Sequence, residues 1–462
     1  MRLFRAYIGL IGLMVACSQS TIHQPPTTNE IRGVWITNID SEVMFTPEAL
    51  REGMAYLAGR GFNVVFPVVW NEGYTLYPSE VMARTFGEAY RIDTVFAQAG
   101  WDPLAQLIVE AHKHGMEVMP WFEFGFSSSY NAGGGHILTQ RPDWAAKDRD
   151  GKLLKKNGFE WMNPNHPEVR QLLLDLIEEV IRNYDIDGIQ GDDRLPANPA
   201  EGGYDDLSRR LYREETGLDV PENPREARFL QWKSDKLSDF GGDLYRLVKG
   251  LDPELIVSLS PSVYPWSKEE YLQDYPEWIR RKQVDILHPQ VYRYEIDRYK
   301  QTADEVALYS GLTDGSNTTT LVAPGILIKS GRRYNGPAYV REAMAHNRSL
   351  GMHGDVFFFY EGLRGENQHL GDTLKATFYA EPAGLPYRKG EPRRFPALEL
   401  SDKPIRAPQT GPYGVYRIEN GFSVRTGTLE LKRGDRIRPA DHGATPASPV
   451  WIIIDRHTTF HP

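Results

Sequence analysis

Short apolar runs alternate along this chain with amphipathic segments of helical period. Most of the runs are rich in β-branched or aromatic residues and are bounded by polar or turn-forming residues, as expected of strands. The eight runs lie at 31–38, 62–70, 116–124, 187–193, 255–262, 285–292, 321–327 and 354–362. Strands that alternate with helices form a parallel sheet with crossover helices, so the pattern predicts an α/β fold.

The segments between the runs carry signals for helix ends. Thr46-Pro47 predicts the start of a helix that Gly61 closes, and the ranges 102–115 and 167–184 also place a proline in the first turn. Eight such units in about 330 residues predict a (β/α)8 TIM barrel. An open doubly wound sheet is the alternative, but it needs a glycine-rich phosphate turn after the first strand, and residues 38–40 offer none.

Composition divides the chain into regions. The predicted barrel spans residues 30–380, with an insertion at about 125–165 that we expect to wall one end of a cleft. The sequence after residue 380 becomes rich in proline and then alternates polar with apolar residues. Residues 381–462 are therefore predicted to form a linker and a small β-rich C-terminal module.

The N-terminus has the features of an export signal. Two arginines precede an apolar run too short to span a bilayer as a helix, and the run ends at Cys17, the single cysteine of the chain. The sequence before Cys17 resembles a bacterial lipobox, so residues 1–17 are predicted to be a lipoprotein signal peptide with Cys17 lipidated, and 18–29 a polar tether. An ordinary signal peptide with a fortuitous cysteine is the alternative. The prediction is an exported periplasmic or cell-surface lipoprotein, in the outer membrane of a Gram-negative cell, held to the membrane by its lipid only.

Charge and motif content exclude several functional classes. The net charge is −9, and no long basic run provides a surface for nucleic acid. The histidines are scattered, without the spacing of metal ligands, and no G-x-S-x-G turn of a serine hydrolase occurs. We therefore expect no metal and no cofactor, and a polysaccharide as the partner.

The predicted C-terminal strand ends, which meet at one mouth in a TIM barrel, are rich in aromatic and acidic residues. Glycosidic hydrolysis needs two carboxyl groups beside the scissile bond, and aromatic planes suit the faces of sugars. The candidate substrate-binding residues are Trp35, Trp70, Glu72, Trp121, Arg194, Gln290, Tyr292, Tyr360 and Glu361. For each tryptophan the alternative is packing inside the barrel. Glu361 and Glu72 are also reserve candidates for the catalytic acid.

The fourth predicted strand carries the clearest candidates for catalysis. Side chains alternate along a strand, so Gln190, Asp192 and Arg194 share a face that can point into the mouth. We expect Asp192 to be the nucleophile or base, kept ionised by Arg194 or by neighbouring hydrogen-bond donors. Asp193 either orients it or, if a bulge shifts the strand by one residue, is itself the nucleophile. Glu123 follows aromatic residues in an apolar strand, so desolvation should raise its pKa and make it the general acid.

Several stretches together resemble a known family. They are EIRGVWITN, GFNVVFPVVW, DPLAQLIVEAHKHGMEVMPWFEFGF, MNPNHPEVRQLLLDLIEEVIRNYDIDGIQGDDRLP, DILHPQVY and GDVFFFYEGL. Over about residues 30–365 the chain is similar to the bacterial glycosyl-hydrolase-like family ten. The resemblance implies a TIM-barrel hydrolase of bacterial cell-envelope glycans, among which are peptidoglycan strands stripped of their peptides. Relatives often carry an aromatic or aliphatic residue where this chain has Gly191, and Tyr or His where it has Arg194.

Two further resemblances concern the fourth strand. Its D-G-x-x-x-D pattern resembles the retaining α-amylase and α-galactosidase barrels, whose nucleophile matches Asp192. Chitinase-type barrels have an acidic Glu where this chain has Arg194, which argues against their substrate-assisted mechanism. The function predicted from the sequence is hydrolysis of O-glycosidic bonds. The alternative is a non-catalytic glycan-binding lipoprotein of the envelope.

Overall fold

The computed structural model describes residues 28–317, 319–367, 369–388 and 392–456. The predicted signal peptide 1–17 with Cys17 lies outside these residues, as does most of the tether 18–29. The last two tether residues, Thr28–Asn29, form a short parallel strand pair with Ala383–Gly384. Within the described ranges, no helix combines the length and the apolar character needed to cross a membrane.

A parallel strand occurs in each of the eight apolar runs. The strands are β1 (Ile31–Ile36), β2 (Val64–Pro67), β3 (Glu117–Val118), β4 (Gly188–Gly191), β5 (Ile256–Leu259), β6 (Ile286–Leu287 and Gln290–Val291), β7 (Leu321–Val322 and Gly325–Leu327) and β8 (Gly354–Phe358). Each strand pairs with its successor, and β8 pairs with β1. The β3–β4 junction is a parallel bridge between Trp121 and Gln190, with Gln190 N donating to Pro120 O at 2.8 Å. The spatial order of the strands therefore follows the chain and returns to its start.

Prolines explain why several strands are shorter than the sequence predicts. Pro289 lies between the two parts of β6, Pro324 between those of β7, and Pro120 between β3 and the bridge at Trp121. A proline has no N–H to donate to a strand ladder. The ladder is therefore interrupted at these positions, although the chain continues in the same direction.

Thirteen α-helices lie among the described residues. They are α1 (Pro47–Gly59), α2 (Glu80–Phe86), α3 (Thr94–Ala99), α4 (Pro103–His112), α5 (Gly135–Gln140), α6 (Pro167–Asn183), α7 (Asp206–Thr216), α8 (Ala227–Leu251), α9 (Trp266–Tyr271), α10 (Tyr275–Arg280), α11 (Ile296–Tyr309), α12 (Pro337–Ser349) and α13 (Leu370–Ala376). The predicted helix starts at 46 and 102 are confirmed. Thr46 Oγ1 accepts a hydrogen bond from Ala49 N at 3.1 Å, and Asp102 Oδ1 accepts one from Ala105 N at 3.0 Å. Both side chains thus cap amides that the helix leaves unpaired.

Shorter elements follow the C-terminal strand ends and shape the mouth of the ring. After β2, Trp70–Asn71 pairs with Tyr74–Thr75, and after β7, Lys329–Ser330 pairs with Arg333–Tyr334. The insertion after β3 contains a three-stranded antiparallel sheet made of Ser127–Tyr130, Lys155–Lys156 and Phe159–Trp161. One-turn 3-10 helices lie at Glu88–Tyr90, Pro142–Trp144, Tyr360–Leu363 and Pro439–His442.

The last part of the described chain forms a separate antiparallel sheet. It consists of β9 (Leu398–Leu400), β10 (Gly411–Glu419), β11 (Phe422–Leu431) and β12 (Val450–Ile454), in the order β9-β12-β10-β11. Ile405–Arg406 pairs with Arg436–Ile437 beside it. The sheet has its own buried apolar cluster and contacts the helical layer where Ser423 Oγ donates to Glu110 Oε1 of α4 at 2.6 Å.

Candidate active site

Three carboxylates meet one guanidinium at the C-terminal ends of β3 and β4. Arg194 Nη2 lies 3.2 Å from both Glu123 Oε1 and Asp192 Oδ2, and Arg194 Nη1 lies 3.0 Å from Asp193 Oδ1. The exposed fraction of the side chain is 2% for Asp192, 17% for Glu123 and 30% for Asp193. We call these four residues the Arg194 cluster. Glu123 and Asp193 are its two carboxylates that solvent or a ligand can reach.

A tight turn after β4 builds the cluster. The strand ends at Gly191, two residues earlier than predicted, and Leu195 N donates to Asp192 O at 3.2 Å to close the turn. A Cβ on Gly191 would lie 2.3 Å from Leu195 O, so the turn requires glycine there. The predicted strand alternation over 190–194 is therefore wrong. Asp192 and Arg194 meet because the chain turns, with Arg194 N donating to Asp192 Oδ1 at 2.9 Å.

Neighbouring elements hold Glu123 and Arg194 in place. Arg194 Nε donates to the backbone oxygen of Glu123 at 2.9 Å, and its guanidinium lies 4.5 Å from the ring centroid of Phe159 in the insertion. Asn71 Nδ2 donates to Glu123 Oε2 at 2.8 Å and to Asn38 Oδ1 at 3.0 Å. The side chain of Glu123 is thus fixed from two sides.

Burial and mutual repulsion raise the pKa of two of the carboxyl groups. Burial raises the pKa of Glu123 to about 7, with Arg194 opposing the shift and Asp193 and Glu72 adding to it. This agrees with the sequence-based expectation. Burial also raises the pKa of Asp192 well above its ordinary value. Arg194 opposes this shift, while the negative charges of Asp193 and Glu123 add to it. Arg194 therefore limits the rise of the pKa of Asp192 but does not prevent it.

The three predicted tryptophans are buried, which favours packing inside the ring, the alternative that the sequence leaves open for each of them. Trp35 is 1% exposed and its Nε1 donates to Gln190 Oε1 at 2.5 Å. Trp70 is fully buried and donates to Gly125 O at 3.1 Å, while Trp121 is 2% exposed, 6.5 Å from Trp35 between ring centroids. Large flat side chains fill the interior of the ring, so these residues support the mouth from below.

The other predicted binding residues form two groups. Tyr292, Glu72 and Gln290 form the first, and Tyr360 and Glu361, which follow β8, form the second. Tyr292 is half-buried beside the cluster, where burial and then Asp193 and Asp192 raise its pKa well above the usual value and keep the phenol protonated. Glu72 is exposed, and its charge acts on Glu123. Gln290 is half-buried on β6, with Nε2 donating to Ser260 O at 3.1 Å.

Tyr360 and Glu361 follow β8, and their side chains contact different elements. Tyr360 is 2% exposed, its ring lies 6.3 Å from that of Tyr56 on α1, and its hydroxyl accepts a hydrogen bond from Arg364. Tyr360 is therefore a core residue in this structure, and its role in binding substrate stays a prediction. Glu361 Oε1 accepts a hydrogen bond from Ser41 Oγ at 2.9 Å, in the loop after β1.

Sequence reasoning missed some residues of the site. Asn71 lies between two predicted site residues, Trp70 and Glu72, and was not itself predicted. Phe159 lies in the insertion, more than thirty positions from the turn whose Arg194 it contacts. Tyr271 was also missed, although Asp193 and Arg194 act on its pKa. The one available signal is the position of Asn71 directly after the second apolar run. In the part of the chain that the structure describes, no group of three His, Cys, Asp or Glu side chains is arranged to hold a metal ion.

Comparisons with known proteins identify the family. The family described as glycosyl hydrolase-like 10 matches residues 30–328. Glycosyl hydrolase DigH of Escherichia coli O6:H1 is 23% identical over 320 residues, which cover 58% of this chain and 68% of that protein. Glycosyl hydrolase YngK of Bacillus subtilis is 23% identical over 451 residues, which cover 86% of this chain and 84% of that protein.

A solved structure is similar in fold. The glycoside hydrolase domain of PgaB (BpsB) from Bordetella bronchiseptica aligns with a TM-score of 0.56 and 16% identity, over 75% of this chain and 99% of that domain. The family match spans the whole Arg194 cluster and extends over more than half of the chain. The family predicted from the sequence motifs is thereby confirmed. This chain belongs to the glycosyl hydrolase-like 10 family, and its activity is that of a glycoside hydrolase.

Proposed function

We propose that this enzyme hydrolyses O-glycosidic bonds of a bacterial cell-envelope polysaccharide at the Arg194 cluster. One observation carries the proposal: a carboxyl with a pKa of about 7, Glu123, contacts the same guanidinium as the more exposed carboxylate of Asp193. Two carboxyl groups on one guanidinium lie within the separation, at most about 9.5 Å, that two-carboxylate hydrolysis uses. Their different environments favour different roles.

Glu123 is the proposed general acid. At neutral pH it is protonated in a substantial fraction of molecules, so it can give its proton to the leaving glycosidic oxygen as the bond to the anomeric carbon breaks. Asp193 is the proposed partner. It either attacks the anomeric carbon itself, with water releasing the sugar later, or removes a proton from the water that attacks. In both cases one water is consumed, and each cleavage forms one new reducing end and one new non-reducing end.

Asp192 and Arg194 are proposed to act through these two groups. Asp192 is almost completely buried, which favours a positioning role that fixes the turn and the guanidinium. Its assignment as the reacting carboxylate stays a prediction of the sequence. Arg194 supplies one positive charge to three acids, and it limits the rise of the pKa of Glu123 and of Asp192 without cancelling it.

The substrate class and location follow from sequence features. The export signal with a lipobox-like Cys17 supports a lipoprotein of the periplasm or cell surface, where envelope polysaccharides are within reach. Peptidoglycan strands without peptides are the substrate we propose to test first. We also propose that the ring of parallel strands is the (β/α)8 barrel of residues 30–380, and that 381–462 contain a linker and a small β-rich module.

The test is incubation of the purified protein with peptide-free peptidoglycan strands and mass analysis of the products. Wild type should release shorter saccharides, and Glu123→Gln should lower turnover by about two to four orders of magnitude while still binding the strands. Glu80→Gln, a change at an exposed position on α2, is the matched control and should cleave normally. Binding without cleavage by wild type would contradict the proposal and favour a glycan-binding protein.

A further inference from the structure

Exposed aromatic side chains lie on one face of this molecule. Among the described residues, the aromatic side chains with more than a third of their surface exposed are Tyr130 at 48%, Trp266 at 47% and Tyr294 at 37%. They follow the C-terminal ends of β3, β5 and β6, the same end of the ring that carries the Arg194 cluster. A scattered distribution would not place all of them beside the acids.

Tyr130 connects to the cluster through the insertion. Its ring lies 5.1 Å from that of Phe159, whose own ring lies 4.5 Å from the guanidinium of Arg194. Gly158 permits this contact, since a Cβ there would lie 2.4 Å from the Tyr130 ring. One side chain, Phe159, therefore separates the exposed ring of Tyr130 from Arg194.

Trp266 connects to the cluster through Tyr271 and the hairpin in which Lys155–Lys156 pairs with Phe159–Trp161. Its ring lies 5.5 Å from that of Tyr271, and Asn157 at the hairpin tip donates to the Tyr271 hydroxyl at 2.8 Å. Asp193 raises the pKa of Tyr271, after burial, which places the phenol within electrostatic reach of the cluster. We call Tyr130, Phe159, Tyr271 and Trp266 the aromatic strip. Phe159 contacts Arg194, Tyr271 lies within electrostatic reach of Asp193, and an exposed ring, Tyr130 or Trp266, packs against each of these two inner rings.

Tyr294 is not part of the strip. The guanidinium of Arg333 lies 3.6 Å from its ring centroid and covers one face of the ring. A sugar stacks on an aromatic face, so a covered ring is a poorer platform. Tyr130 and Trp266 contact their neighbours through tilted or edge-on rings, and about half of each side chain stays exposed.

We propose that Tyr130 and Trp266 are sugar-stacking subsites on either side of the cleavage point, so that the enzyme binds a chain of several sugars across the aromatic strip. This inference rests on the proposed function, because it assumes that the Arg194 cluster is the cleavage point. The inference adds to the proposed function a statement about how many sugars the bound chain contains. A disaccharide would contact the cluster alone, whereas a longer strand would reach both exposed rings.

The test measures binding in the Glu123→Gln background, where cleavage does not interfere. The probes are peptide-free peptidoglycan oligosaccharides of two and six sugars. Tyr130→Ala and Trp266→Ala should each weaken hexasaccharide binding by roughly three- to tenfold, the effect of one lost stacking contact. Binding of the disaccharide should be unchanged. Tyr130→Phe and Trp266→Phe keep an aromatic face and should restore most of the affinity.

Leu308→Ala is the matched control, because Leu308 is 54% exposed on α11, outside the strip. Equal hexasaccharide affinity in the parent and both alanine variants would overturn the subsites and leave the catalytic proposal intact. Hexasaccharide binding that depends on both rings, in a protein whose wild type cleaves nothing, would support the subsites and overturn the proposed hydrolysis. The two proposals therefore fail in different measurements.

Discussion

The two ends of β3 and β4 differ in their balance of charge. At the C-terminal ends, three carboxylates share the single guanidinium of Arg194. At the N-terminal ends, three carboxylates meet three arginines from the segment that follows α13. This second group, the arginine clamp, consists of Glu117, Asp185, Asp187, Arg388, Arg393 and Arg394.

Asp187 is the centre of the arginine clamp. It is completely buried, and its Oδ1 accepts hydrogen bonds from Arg393 Nε at 3.0 Å and Arg394 Nε at 2.7 Å. Its Oδ2 accepts one from Val118 N at 2.9 Å and lies 3.1 Å from His112 Nε2. Burial opposes its ionisation, but Arg394, His112 and Arg393 more than compensate and lower its pKa. Asp187 is therefore charged in the folded protein.

The comparison separates a structural cluster from a reactive one on the same two strands. At the N-terminal ends the negative and positive charges match. The carboxylates bind the arginines of the segment after α13 and hold this segment beneath the ring. Burial and Asp187 still raise the pKa of Glu117, despite Arg388, so the clamp is not uniform. At the C-terminal ends the acids outnumber the cation, and the raised pKa values mark a site held for chemistry rather than stability.

The largest effect is expected for Asp187→Asn. The substitution leaves two buried arginines without one of their charged partners, which should lower the free energy of unfolding by about 3–5 kcal/mol. Because the folded pKa of Asp187 is depressed, its contribution is present above the unfolded pKa and is lost only as pH falls below it. Urea denaturation at pH 5 and at pH 8 should therefore show a similar loss.

Asp372→Asn provides the control for this prediction. Asp372 pairs with Arg60 at 2.7 Å but is 51% exposed, so its loss should cost at most about 1 kcal/mol. A loss at Asp187 as small as at Asp372 would mean that the clamp does not stabilise the fold.

The next effect has the opposite sign. The folded pKa of Glu123, about 7, lies above its ordinary value of 4.5, so the stability it contributes is complete below pH 4.5 and is lost as pH rises through about 7. A neutral glutamine does not suffer this loss. Glu123→Gln should therefore match wild type near pH 4.5 and be more stable by about 1–3 kcal/mol at pH 8, measured by urea denaturation.

If Glu123→Gln were less stable than wild type at pH 8, the Arg194 cluster and the arginine clamp would not differ in how loss of a carboxylate affects stability. It would mean that Arg194 needs all three carboxylates, as Arg393 and Arg394 need Asp187. An equal gain at both pH values would point to a change in packing, because packing does not titrate.

Sequence reasoning found what depends on local pattern. The eight runs, the helix starts and the carboxylates at the C-terminal strand ends can be read from periodicity and from turn residues. The arginine clamp could not be found, because Arg393 and Arg394 meet Asp187 from a segment more than 200 positions away that reads as a linker. The turn after Gly191 was missed because the alternation of side chains was continued beyond the end of β4.

The tryptophans show the same limit from another side. A tryptophan after an apolar run can point into the ring or out of its mouth, and the choice depends on what fills the interior. Trp35 fills it here, packed at 5.8 Å against Phe66 and at 6.2 Å against His288, so its polar atom bonds Gln190 and not a ligand. Exposed aromatics were found only once the loops had been placed.

The smallest effect concerns the tuning of Glu123. Asn71 Nδ2 donates to Glu123 Oε2 at 2.8 Å, and a donor to a carboxylate favours the ionised form. Asn71→Ala should raise the pKa of Glu123 further, so activity should persist to higher pH, with the alkaline limb of the pH–rate profile shifted upward by about one unit. The acid limb should stay in place and is the internal control. A downward shift of the alkaline limb would mean that Asn71 instead accepts a hydrogen bond from protonated Glu123, and that the site is built to keep this carboxyl neutral.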